Sequence, residues 1–293
     1  MKRIVCNLET IAKTFLSVAG SIFGLIAIIT AFISWDDLQI SVKQRIVIFI
    51  IAIIISLAIA MLYVLLIRRK NCIWNNGTGS LSVVYGDIIK IAFNSKKTKN
   101  KVVVIPVNTS FDTIVDSNIT SVQKPLVSPN SIHGQWINAL INEGLTEDEI
   151  HQIVQEAIQK RELKIQRKCS AQEKVRGNLD CYERGSLVFV SYRLNTTFML
   201  VALADFDDCN KGQCTEEAFI DVIMSIIDSY NDCAQGYDLY IPLMGTGFSR
   251  VNLSNKESLQ KIKACIEICK KKIHGAVNIV IYKEDMDKVT IFD

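Results

Sequence analysis

Hydrophobic and polar positions divide this chain into two unlike parts. Residues 15–35 are apolar apart from Ser17, Ser21, Thr30 and Ser34, and residues 46–67 are apolar without a single charge. Each stretch is roughly twenty residues, long enough to cross a hydrocarbon core of about 30 Å as a helix. Residues 36–45 between them are short and polar, so the pattern predicts a two-helix transmembrane hairpin within residues 1–72. A cleaved signal sequence does not fit, because the first apolar core is too long and a second span follows directly. A buried core helix does not fit the second stretch, which ends in Arg68, Arg69 and Lys70.

Beyond residue 70 the periodicity changes. Asn75-Asn76-Gly77-Thr78-Gly79 is a turn-rich break, and a globular domain is expected over residues 77–293. Residues 81–85 and the β-branched run 101–107 predict buried strands. Thr146 and Glu149 form a capping box ahead of a helix. Residues 186–194 and 197–203 predict a strand pair turning at Asn195. Phe219, Val222, Ile223, Ile226, Ile227 and Tyr230 then recur at helical spacing as one core-facing stripe. Residues 239–243 predict another buried strand. Ser254 and Glu257 cap a last helix, with its stripe at Leu259, Ile262, Ile266, Cys269 and Ile273, and residues 276–282 form a final strand. Polar residues 169–185 predict a surface excursion. Strands alternating with helices give an α/β domain with a mixed sheet flanked by helices.

Charge orients the hairpin. Lys2, Arg3 and Lys13 precede the first span, and Arg68, Arg69 and Lys70 follow the second. Positive flanks stay on the cytoplasmic side, so a two-pass membrane protein is expected, with both termini and the globular domain cytoplasmic. Overall, 33 Lys and Arg against 30 Asp and Glu leave a net charge of +3, too small a basic excess to point to nucleic acid. The nine cysteines form no Cys-x-x-Cys pair, and no histidine stands at zinc-finger spacing from a cysteine pair. No metal or cofactor is therefore expected, and the thiols read as reduced and cytosolic. Within the spans, Gly20 and Gly24 form a G-x-x-x-G continued by Ala27 and Ala31, and Ala52, Ser56 and Ala60 repeat the spacing in the second. Small residues let helix backbones approach in lipid. These faces either pack one hairpin together or pack between chains, and two of them favour a homo-oligomer.

The candidate chemistry begins where the apolar run 239–243 meets Gly245-Thr246-Gly247. Such a strand delivers its glycine loop to the carboxyl edge of a sheet, where open α/β sheets bind ligands. Glycine allows close backbone approach, and successive free N–H groups make a concavity suited to phosphate. An ordinary strand-to-helix turn has the same sequence pattern.

Four landmarks follow in order: Gly86-Asp87-Ile88, Pro106-Val107-Asn108, Ser131-Ile132-His133-Gly134 and Pro242-Leu243-Met244-Gly245-Thr246-Gly247. Together they resemble a macro domain, the ADP-ribose-binding α/β module. The whole chain, hairpin included, is most similar to the membrane-anchored macro-domain effectors of type II Thoeris antiphage systems. The resemblance implies that Asp87, with Ile88 beside it, meets the adenine amino group, although Asp87 is equally placed to cap a short helix. It implies that Pro106, Val107, Asn108, Thr109 and Phe111 border the distal ribose, and that Met244, Gly245, Thr246, Gly247 and Phe248 wrap the diphosphate. Ser131 and His133 lie in a segment that looks like a family-specific addition to the site; a surface histidine fits equally well. The implied ligand is ADP-ribose joined to histidine, made from NAD by a separate TIR-domain protein that need not touch this chain. The implied outcome is oligomerisation of the hairpins, disruption of the lipid bilayer and abortive infection. Macro domains that hydrolyse ADP-ribosyl bonds have a richer Asn/Gly first loop than Val107-Asn108-Thr109-Ser110-Phe111-Asp112, so no catalytic residue is expected. A membrane-tethered ADP-ribosyl hydrolase and a non-signalling anchored scaffold are the alternatives.

Overall fold

A computed structural model describes every residue except 1, 36, 95–98, 118–124, 194, 207–211, 247–250 and 252. Contacts divide the chain into two units, residues 1–71 with 286–292, and residues 72–285 with 293.

In the first unit, α1 (Lys2–Cys6) and α2 (Leu8–Phe32) precede α3 (Val42–Leu62), which continues into a π-helical turn at Tyr63–Ile67. Both long helices have the length and apolarity to cross a membrane. α2 starts well before the apolar core because polar residues extend it, with Lys13 pairing to Glu9 at 2.6 Å one turn away. Ser41 and Gln44 close a capping box that starts α3. Ala19, Ala52, Ser56 and Ala60 are buried where the two helices face each other. Gly20, Gly24, Ala27 and Ala31 are exposed, and a Cβ on either glycine would meet nothing within 4 Å. The small face of the second span thus packs within the hairpin, while that of the first looks outward.

The second unit is built on β1 (Lys70–Asn75), β2 (Gly79–Gly86), α4 (Ile88–Phe93), β3 (Lys101–Asn108), α5 (Ile132–Asn142) and α6 (Glu147–Lys160). It continues with β4 (Ile165–Lys168), β5 (Asp180–Tyr182), β6 (Leu187–Tyr192), β7 (Thr196–Phe206), β8 (Gly212–Gln213), α7 (Glu216–Cys233), β9 (Asp238–Pro242), α8 (Asn255–Ile268) and β10 (Gly275–Tyr282). The main sheet has the order β1-β2-β10-β9-β3-β7-β6, with β8 on β7, and β4 and β5 pair separately. β2, β10, β9, β3 and β7 run parallel, and β6 is antiparallel to β7, so the sheet is mixed. The stripe expected on α7 is the core side of that helix, no member being more than 1% exposed. Its Tyr230 hydroxyl lies 2.6 Å from the Tyr237 carbonyl and 3.0 Å from that of His274, which satisfies a buried polar group.

Two expectations change. The turn-rich residues 75–79 do not separate domains. They join β1 to β2 within the sheet, and the Asn75 and Asn76 side chains accept from the Gly77 and Gly79 N–H groups at 2.9 and 2.7 Å to make the turn. Polar residues 169–185 are a surface excursion only in part, with Ser170, Ala171, Gln172, Glu173 and Val175 exposed. They carry β5 and bury Cys169, Lys174 and Cys181.

Candidate ligand-binding site

Parallel register sets the site. Tyr282 at the end of β10 pairs with Gly86 at the end of β2, Val280 pairs with Pro242 at the end of β9, and Val103 of β3 pairs with Tyr240. The loops after β2, β9 and β3 therefore leave one sheet edge. Asp87 and Asn108 stand three strand spacings apart, roughly 14 Å, with the residues after β9 between them.

Asp87 accepts from the Ile89 and Lys90 N–H groups at 3.0 and 3.1 Å, so it does cap α4. Its other carboxylate oxygen stands 3.8 Å from the exposed Lys90 ammonium, and the side chain is 20% exposed. Ile88 beside it is buried.

After β9, the Ser258 hydroxyl on α8 donates to the Met244 carbonyl at 2.6 Å, and the Leu253 N–H reaches the Gly245 carbonyl at 3.4 Å. The loop carbonyls are thus turned toward α8. Among the described residues, no acceptor takes the N–H of Met244, Gly245 or Thr246. Gly245 has φ +80°, and a Cβ there would stand 3.3 Å from Phe219, Val251 and Leu253 side chains. The positive φ favours glycine, and the tight apolar surroundings add to that preference. Gly247 and Phe248 lie outside the described residues.

The loop after β3 is held from within. Asn108 donates to the Asp112 carboxylate at 3.0 Å and accepts from the Asp112 N–H at 3.1 Å, so both ends of its amide are engaged. Thr109 donates to Asp205 at 3.0 Å, and Phe111, at φ +50°, packs edge-on to Tyr182 with centroids 5.7 Å apart. Val107 is buried and Pro106 half-buried at the strand end. Asp112 is fully buried and meets the Lys174 ammonium at 2.7 and 2.9 Å and the Asn178 N–H at 2.8 Å. Burial pushes its carboxyl above the ordinary range, and Lys174, Asn178 and Asn108 pull it back. Arg176 grips Asp116 through two contacts of 3.0 Å. Cys181 lies 3.3 Å from both Ser110 and Cys169. The 169–181 segment is a clamp on this loop, and no local pattern in the sequence signals pairs about sixty residues apart.

Ser131 caps α5 by accepting from Gly134 N–H at 3.0 Å. His133, in the first turn of α5, is buried beneath the β3 loop, so a surface histidine is excluded. Its ring stacks on Trp136, centroids 6.3 Å apart. Burial lowers its pKa to about 3, partly offset by a hydrogen bond with the Asp112 backbone. A depressed histidine gives stability that is full above the unfolded value of about 6.5 and falls as pH drops toward the folded one. His133→Gln should therefore flatten the acid limb between about pH 6 and 4, by up to about 1.4 kcal/mol per pH unit. Urea unfolding across that range measures the slope, and an unchanged slope would contradict a neutral buried ring.

A mixed sheet whose parallel strand ends present a carboxylate, a glycine loop with unpaired N–H groups and a clamped β3 loop defines a macro domain, here joined to two long apolar helices. The chain belongs to the family described as Thoeris protein ThsA, Macro domain, which matches residues 81–282. Thoeris protein ThsA of Bacillus amyloliquefaciens (strain Y2) is 26% identical over 291 residues, covering 96% of this chain and 88% of that protein. Among solved structures, an Oceanobacillus iheyensis macrodomain mutant with ADPR is similar at TM-score 0.46 and 14% identity, covering 76% of this chain and 94% of that one. A Trypanosoma brucei macrodomain in complex with ADP-ribose gives TM-score 0.40 and 9% identity, covering 72% and 68%. Family membership places the chain among the ThsA proteins of Thoeris systems.

Proposed function

We propose that this chain is a signal-gated membrane effector whose macro domain binds ADP-ribose joined to histidine, a signal made from NAD by a partner TIR-domain protein. One observation carries the reading: along a single sheet edge, the Asp87 carboxylate, the unpaired N–H groups at 244–246 and the 107–111 loop occur in the order of base, diphosphate and distal ribose. Ser131 and His133 bound the same region from α5. Binding shifts a two-state arrangement, by no more than the ligand's differential affinity for the two states. The hairpins, two-pass in the inner membrane with the macro domain cytoplasmic, then assemble through Gly20, Gly24, Ala27 and Ala31, while Ala52, Ser56 and Ala60 hold each hairpin together. Assembly disrupts the bilayer. Engagement of the Asn108 amide by Asp112 favours binding over turnover, and release of free ADP-ribose from a modified substrate would show the hydrolase instead.

Calorimetry of the full chain in detergent with ADP-ribose and its histidine conjugate tests the reading. Binding of neither ligand ends it. Asp87→Ser keeps a capping oxygen but removes the carboxylate, and should weaken binding about tenfold or more, as expected for a hydrogen bond to a charged group. Normal affinity would move the base elsewhere. Gly20→Leu combined with Gly24→Leu should abolish toxicity in cells making the signal and leave calorimetric binding intact. Full toxicity would remove this face from assembly.

A further inference from the structure

Residues 286–292 follow the last strand of the sheet, yet they group with the hairpin. Phe292 joins an apolar cluster of Ile11, Ala60 and Val64, with Phe15, Met61 and Leu65 around it. The Arg68 guanidinium covers the Phe292 ring at 4.9 Å, and the Asn71 amide donates to the Ile291 carbonyl at 3.0 Å. Arg69 approaches the Met286 sulfur at 3.8 Å, and the Cys6 thiol donates to the Asp287 carbonyl at 3.3 Å. The strap therefore touches α1, α2, α3 and the residues after α3. These contacts fall at the π-helical turn Tyr63–Ile67, whose Tyr63 carbonyl accepts from Arg68 N–H at 2.9 Å and whose Leu65 carbonyl accepts from Arg3. π turns are rare and frequently fall at functional sites. Relaxation of this turn to α geometry shifts the register by one residue, about 100° of rotation between the helix before it and the chain after it.

The macro domain holds the other end of the strap. Asp293, the residue after Phe292, pairs with Lys256 of α8 at 2.6 Å, and its backbone carbonyl accepts from Lys263 at 2.5 Å. Two residues along α8 from Lys256, Ser258 holds the Met244 carbonyl of the glycine loop. At its start the strap leaves β10 three residues after Tyr282, which pairs with Gly86 next to Asp87. The chain before and after the strap thus belongs to the unit that carries the candidate site, while the strap itself groups with the hairpin.

We propose that residues 286–292 are an autoinhibitory latch, seated on the hairpin in the resting state through Phe292 and withdrawn when ligand moves the glycine loop and α8. The step from ligand to withdrawal rests on the function proposed above. The seated latch does not, because it stands on the contacts of residues 286–292 with the hairpin alone. With the latch in place, the bases of α2 and α3 share one apolar plug and the π turn is covered. With it withdrawn, the plug is lost and the turn is free to relax.

The test uses the full chain in phosphatidylethanolamine–phosphatidylglycerol vesicles loaded with a self-quenched dye. Phe292→Ala should leak dye without ligand, several-fold above wild type, while calorimetric affinity for the histidine conjugate stays within about threefold. Ligand-free leakage at the wild-type level in a variant that still melts cooperatively overturns the latch. Asp287→Cys puts a second thiol on the residue whose backbone carbonyl accepts from the Cys6 thiol. Oxidation with diamide should cross-link the two, hold ligand-triggered leakage at the resting level and leave binding intact. Dithiothreitol should restore the leakage, and Cys6→Ser in the same background should remove the effect. A cross-linked protein that leaks normally on ligand also overturns it. Wild type that neither binds nor leaks with either ligand refutes the proposed function instead, and Phe292→Ala still decides the latch.

Discussion

Lys174→Met should destabilise the protein by about 3–5 kcal/mol, the usual cost of removing one partner from a buried ion pair. For a domain of this size that corresponds to a fall in melting temperature on the order of 10 °C. The reason is geometric. Lys174 is nearly as buried as Asp112, and its ammonium also donates to the Asn178 carbonyl at 2.7 Å. Methionine fills the space but leaves a carboxylate in apolar surroundings with only the Asn108 and Asn178 donors. The sign of the pH dependence follows from the raised carboxyl. A group whose folded pKa is raised gives stability that is full below its unfolded value and declines as pH rises toward the folded one. Removing Lys174 raises that carboxyl further. The deficit relative to wild type should therefore be smallest near pH 4 and largest at neutral pH and above. Urea unfolding at both pH values measures it. A deficit that is equal at the two, or larger in acid, would mean that Asp112 does not depend on Lys174 for its charge. Binding should fall as well, since Asp112 fixes Asn108 and with it the loop that leaves β3.

That clamp also marks the limit of what the sequence conveys. Strands β3, β9 and β10 and the α7 stripe were legible because each is a local periodicity. The glycine loop was legible because a strand ran straight into it. Asp87 at the end of β2 was picked out through the resemblance, since Gly86-Asp87-Ile88 alone is a weak signal. β1 was not legible, since Lys70–Asn75 mixes charged, polar and aromatic residues and owes its place to pairing with β2. Lys174 and Arg176 looked like solvated surface charge, because the acids that pair with them are about sixty residues earlier. His133 was ambiguous for a related reason: one histidine in a polar segment does not reveal that Asp112 and Trp136 close over it. Residues 286–292 carry Val289, Ile291 and Phe292 but no period long enough to assign a partner. Short-range pattern predicted the scaffold and the edge that bears the site. The long-range charge pairs that hold the site's loops appeared only in three dimensions.

Gly245→Glu should reduce affinity for the histidine conjugate by about 100-fold or more, equivalent to at least about 2.7 kcal/mol. Two separate effects contribute, and they can be told apart. The first is steric and conformational. At φ +80° any side chain is strained, by roughly 1–2 kcal/mol, and its Cβ meets three apolar side chains at 3.3 Å. Gly245→Gln carries this effect almost alone. The second is electrostatic. If the unpaired N–H groups of 244–246 receive a diphosphate, a glutamate carboxylate there faces a like charge. Glu should then bind several-fold more weakly than Gln at low salt, and the gap should narrow toward 1 M salt, where the screening length is about 3 Å. Melting of each variant shows whether the fold survives, since Ser258 and Leu253 hold the loop carbonyls irrespective of residue 245. Equal affinities for Gln and Glu at low salt, in folded proteins, would mean that no charged group of the ligand sits over this loop. The order of base, diphosphate and ribose along the sheet edge would then have to be abandoned, whatever the affinity for ADP-ribose itself.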